Sequence, residues 1–168
     1  MPETDPMKFC CACGGVEMVA RGKPIAVTAC CCDDCQAGSK AIEALPGAAP
    51  ILQSDGGTPY ILCRKDRVSV VRGQELIEGR KLKPNSPTTR YHASCCNTGL
   101  YTDFGPGHWY SMFATALVGK PPPIEMRVQT KHRPDGAVSP DDAPIAPGYP
   151  ISFMFRLLGA RAAMLFGR

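Results

Sequence analysis

Ten cysteines, at 10, 11, 13, 30, 31, 32, 35, 63, 95 and 96, constrain this 168-residue chain more than any other feature. Nine fall in three tight knots, a distribution unlike the spread cysteines of a disulfide scaffold. The start, Met1-Pro2-Glu3-Thr4-Asp5-Pro6, has no basic cluster and no apolar run, so an export signal is not expected. The knots therefore read as metal ligands in a reducing, cytoplasmic setting.

Local geometry says how each knot could work. On a strand, residues i and i+2 share a side, so Cys11-Ala12-Cys13 is expected to present two thiolates to one site. Gly14 and Gly15 follow with the freedom a sharp exit needs. In Cys30-Cys31-Cys32-Asp33-Asp34-Cys35, Cys30 and Cys32 share a face while Cys31 points away. The step from Cys32 to Cys35 curls the chain back and adds a third sulfur at a helix start, where a thiolate is favoured. All-sulfur donors select zinc, copper(I) or iron–sulfur over calcium and magnesium, with zinc the default. Cys95 and Cys96 can serve one ion only if the chain kinks between them, and Thr98-Gly99 could follow such a kink. Cys96 or Cys95 would then complete the site begun by Cys11 and Cys13, and His92 could be a ligand as well.

Elsewhere the pattern is that of a mainly β chain. Prolines and glycines number 17 each, which favours short strands and many turns over a helical bundle. Strands are expected around Val16–Arg21, Pro24–Cys30, Tyr60–Cys63, Val68–Val71, Thr88–His92 and Leu100–Thr102, with Leu76–Lys83 a strand or an edge. Trp109–Val118 reads as a buried strand, and residues 34–45 as a short helix after Cys35. Residues 121–150 hold eight prolines and are expected to be extended and loop-like. The tail, 151–168, reads as an apolar helix whose thin polar stripe is Ser152, Arg156 and Gly159, docked on the domain or on a homodimer partner. Two internal arginines speak against a membrane span, leaving association with a membrane interface as the alternative. The organisation expected is a zinc-binding domain over 1–120, a proline-rich segment over 121–150 and the helix. The net charge of +4 is scattered, so nucleic acid is not an expected partner.

The order Cys11-Ala12-Cys13-Gly14, Cys30-Cys31-Cys32-Asp33-Asp34-Cys35-Gln36, Val70-Val71-Arg72-Gly73 and Arg90 to Leu100 resembles the glutathione-dependent formaldehyde-activating enzymes, also called the centromere-protein-V-like family. The resemblance covers roughly residues 8–118 and implies a Mss4-like, β-tent fold with two zinc ions. Carried over by position, Cys11, Cys13 and Cys96 belong to a structural zinc. Cys30, Cys32 and Cys35 hold a catalytic zinc with an open position, where the thiol of glutathione adds to formaldehyde to give S-hydroxymethylglutathione. The family's last motif, C-x-x-C-G, is altered here: Ala93 stands at its first cysteine and Asn97 at its glycine. Cys95 is the nearest substitute for the missing ligand, with Cys10 or His92 as fallbacks. The implied activity is that of a carbon–sulfur lyase acting on a thiol adduct. Asp33, Asp34 and His92 are candidates for proton transfer, and Lys40, Arg64 and Arg90 for holding the carboxylates of the tripeptide. The alternative is a non-catalytic zinc-stabilised protein-binding module; a thiol-redox role for Cys32-Asp33-Asp34-Cys35 lacks the βαβ context it would need.

Overall fold

A computed structural model describes residues 5–167. The strands are β1 (Met7–Cys10), β2 (Glu17–Ala20), β3 (Ala26–Cys30), β4 (Thr58–Arg64), β5 (Val68–Arg72), β6 (Ile77–Arg80), β7 (Thr88–Ala93), β8 (Gly99–Phe104), β9 (Trp109–Phe113) and β10 (Met126–Val128). Two helices join them, α1 (Asp33–Glu43) and α2 (Ile151–Leu165). The fold is thus mainly β with a C-terminal helix. β1, β2 and β5 form a small antiparallel sheet, and the others a seven-stranded sheet in the order β10-β3-β4-β9-β8-β7-β6. Every pairing in the larger sheet is antiparallel except β10 on β3.

Both faces of the larger sheet are covered, and β4 shows why. Ile61 and Cys63 point into a core shared with Phe9, Val16 and Met18 of the small-sheet region. Tyr60 and Leu62 point the other way, into a second core with Ile42 of α1 and Phe153 and Leu157 of α2. A strand buried on both sides is apolar at successive positions, as Tyr60-Ile61-Leu62-Cys63 is. β6 ends the sheet, and its Glu78 and Arg80 are the charges that discourage further pairing at an edge.

Two expectations need correction. The strand expected over Trp109–Val118 stops at Phe113 and gives way to a 3-10 turn over Ala114–Ala116, where alanines carry little β preference. Its first three residues are half-buried rather than buried. Cys11 and Cys13 do not lie on a strand either. β1 ends at Cys10, and Cys11–Gly14 form a turn closed by the Gly14 N–H donating to the Cys11 carbonyl at 2.9 Å.

Arg127 is the buried anchor of the proline-rich segment. β10 pairs in parallel with β3, and Arg127 at its centre is fully buried. Its guanidinium donates to Asp55 at 3.0 Å, to Gln53 at 2.9 Å and twice to Asp142 at 2.8 Å. Asp55 is itself fully buried, so the pair satisfies charges that neither partner could bury alone. α2 docks through Phe153 and Leu157 and is too short to cross a membrane.

Candidate metal centres

Two thiol clusters form, each with all its sulfurs within 4.8 Å of one another. The first gathers Cys11, Cys13, Cys95 and Cys96; the second gathers Cys30, Cys32 and Cys35. None of the ten cysteines is in a disulfide.

The first cluster joins two turns from different sheets. After β1, Gly14 adopts φ +79°, and the Val16 N–H donates to the Cys11 sulfur at 3.1 Å. Between β7 and β8, the Asn97 N–H donates to the Ala93 carbonyl at 2.7 Å and the Ala93 N–H to the Thr98 carbonyl at 2.9 Å. Asn97 supplies the left-handed conformation, φ +57°, that this tight turn requires; Asn tolerates it better than most non-glycine residues. That turn is the kink needed for Cys95 and Cys96 to face the same point. Thr98 stitches the halves together, accepting from the Ala12 N–H at 3.0 Å and lying 3.1 Å from the Cys96 sulfur. Sulfur separations are 3.2 Å for Cys13–Cys95, 3.6 Å for Cys11–Cys13, 3.7 Å for Cys11–Cys95 and 3.9 Å for Cys95–Cys96. Tetrahedral metal–sulfur bonds of about 2.3 Å place ligand sulfurs about 3.8 Å apart, so the cluster suits a four-coordinate ion such as zinc.

The second cluster is local, carried by the end of β3 and the first turn of α1. Cys32 caps the helix: its sulfur accepts from the Cys35 N–H at 3.3 Å, and its carbonyl from the Gln36 N–H at 3.0 Å. Cys31 points away, fully buried, as the alternation requires. Tyr149, just ahead of α2, brings its hydroxyl to 4.0 Å from the Cys30 sulfur, and its ring stacks on Phe153.

Charge cannot be shared freely among packed sulfurs. Hydrogen bonds from the Cys30 and Cys35 thiols hold Cys32 down at about 3. The same contact with Cys32 pushes Cys30 up to about 12, and contacts with both neighbours push buried Cys35 well above the thiol range. In the first cluster, burial opposes ionisation of Cys96, but bonds from the Thr98 hydroxyl and from backbone N–H groups hold it at about 6. Cys95 and Cys11 are pushed up, led by desolvation. Each cluster stabilises one thiolate and keeps protons where a cation would replace them.

His92 is not in either cluster: it is buried on β7, with its Nε2 3.9 Å from Glu78. Cys10, at the end of β1, also lies outside both. Arg90 is 3% exposed beneath α1, donating to the Asp34 carbonyl at 2.8 Å, while its Nε and Nη1 have no protein partner. Lys40 is exposed in the last turn of α1, and Arg64 is paired with Asp66. Sequence reasoning missed Tyr149 and also His132, whose Nδ1 lies 3.1 Å from Asp33. Both come from the proline-rich segment, more than 95 residues from the knot they approach, and no spacing signals that.

No protein-family model matches this chain, and no curated protein matches it. Among solved structures, a crystal structure of a Rhodobacter sphaeroides protein is similar, with 18% identity and a TM-score of 0.49 over 69% of this chain and 92% of that one.

Proposed function

We propose that the protein is a zinc-dependent enzyme of carbon–sulfur chemistry. In this reading Cys11, Cys13, Cys95 and Cys96 hold a structural zinc, and Cys30, Cys32 and Cys35 hold a second zinc at which a small thiol such as glutathione reacts. One observation carries it: four thiols converge in one cluster and only three in the other. Structural zinc sites are closed by four protein ligands, whereas catalytic ones keep a position for substrate. The resemblance to the glutathione-dependent formaldehyde-activating enzymes points the same way and supplies the substrate class, an adduct such as S-hydroxymethylglutathione.

The bound ion supplies Lewis acidity and favours the thiolate form of a thiol. Forming the adduct joins the thiol sulfur to the aldehyde carbon, and the thiol proton ends on the carbonyl oxygen; the lyase direction is the reverse. The chain's own groups set the stage for this. The Cys35 N–H orients Cys32, and the Tyr149 hydroxyl stands 4.0 Å from the Cys30 sulfur at the edge of the cluster. A zinc-stabilised binding module is the second reading, favoured by Arg64 being engaged by Asp66 and Arg90 by the Asp34 carbonyl rather than both being left for a substrate carboxylate.

Metal content per chain, measured by elemental analysis and native mass on anaerobically purified protein with and without glutathione, separates the readings. Two zincs and a glutathione adduct that Cys32→Ser removes support the enzyme. One zinc and no adduct indicate a staple, and iron or no metal overturns both.

A further inference from the structure

α2 carries two apolar faces, and the domain covers only one. Phe153 and Leu157 are buried, while Ile151, Met154, Phe155, Leu158, Leu165 and Phe166 lie 46–77% exposed. On a helix of 3.6 residues per turn these six fall within one solvent-facing stripe, opposite the docked pair. Single exposed apolar residues need no explanation, but a continuous stripe marks a surface that meets another apolar phase.

Charge chooses the partner. The 26 residues after Asp142 contain three arginines and no acid. Arg161 flanks the stripe and has no ion-pair partner among the described residues; Arg156, on the other flank, is held by Glu125 at 2.7 Å. Gly167, just past the helix, lines a cleft with Arg21, Arg64, Arg67 and one acid, Asp66, which pairs with Arg64, so a net positive charge continues beyond the helix end. A second copy of the chain, related by a two-fold axis, would set one such basic rim against another, while the acids beside it, Glu125 and Asp66, are already engaged by Arg156 and Arg64. A bilayer with anionic headgroups matches both features at once. Apolar side chains enter the headgroup boundary, and the flanking arginines stay at its charged surface. At 15 residues the helix is about 22 Å long, suited to lying along the interface rather than spanning it.

We propose that the exposed face of α2 docks the protein on an anionic phospholipid surface, with Phe155 and Leu158 at the centre of the buried stripe and Arg161 at its charged rim. This does not depend on what the thiol clusters do.

The test is vesicle co-sedimentation of the full-length, metal-loaded protein. Phosphatidylcholine vesicles are compared with vesicles in which about a third of the lipid is phosphatidylglycerol, and the oligomeric state is read by sedimentation velocity. Expected is binding about tenfold tighter to the anionic vesicles, weakening with salt. Arg161→Gln should reduce it roughly fivefold, and Phe155→Ser with Leu158→Ser should remove it while circular dichroism and metal content stay unchanged. Absence of vesicle binding overturns the proposal, and a dimer that the serine variants dissociate would assign the stripe to a second copy instead. Vesicle binding that survives the serine variants, with folding intact, overturns it as well.

Discussion

Thr98 shows how much one hydroxyl can hold. Its oxygen accepts from the Ala12 N–H and contacts the Cys96 sulfur, so it braces both turns of the first cluster. Thr98→Val keeps the shape and removes both contacts, leaving the Ala12 N–H without its partner. Urea denaturation should show a loss of about 1–3 kcal/mol, and chelator competition roughly tenfold weaker metal retention, as expected for a residue that orients ligands. Arg127 is the corresponding residue in the proline-rich segment. Arg127→Ala strands Asp55 as a buried, unmatched carboxylate, and denaturation should report a loss of about 3–5 kcal/mol. Replacing both by apolar residues of similar volume should cost much less, because no buried charge then remains.

Helix propensity and packing conflict within α1. Gly38 sits at mid-helix, where glycine costs about 1 kcal/mol relative to alanine. A β-carbon there would collide with the side chain of Arg90, whose Nη2 is already committed to the Asp34 carbonyl. Gly38→Ala should therefore destabilise, by about 1–3 kcal/mol as overpacking does, and a fall in thermal midpoint would show it. The β7–β8 turn makes the opposite case. Asn97 gains a bond to the Pro46 carbonyl at 2.9 Å while tolerating its positive φ. Asn97→Gly exchanges that bond for backbone ease, so it should be nearly neutral, whereas Asn97→Ala loses both and should cost about 1 kcal/mol in the same assay.

At the scale of the whole molecule the two clusters differ in what they connect. The first ties the turn after β1 to the β7–β8 turn, linking the small sheet to the large one; the second joins β3 to the helix that directly follows it. Cys13→Ser should accordingly lower the thermal midpoint more than Cys32→Ser. A loss on the order of 5 kcal/mol corresponds to roughly 10–20 °C. Loading should also be coupled to pH. Cys30 at about 12 and Cys35, held well above the usual thiol range by its neighbours, are protonated near neutrality, while Cys32 at about 3 is not. Metal entry at the second cluster then releases about two protons, visible by calorimetry in buffers of different ionisation enthalpy, and affinity falls as pH falls. Much of this was written locally. The C-x-x-C step from Cys32 to Cys35, the alternation that separates Cys31 from its neighbours, and the double-sided apolar run of β4 depend only on residues a few positions apart. Backbone period is enough to read such features. Tertiary structure alone decided that Cys95 completes the first cluster and His92 does not, and that Cys11 and Cys13 converge from a turn. It also decided that Arg90 is buried under α1, that Tyr149 reaches Cys30, and which apolar face of α2 stays in solvent. Each of these turns on which distant segments meet and where their side chains then point, and period and composition carry neither.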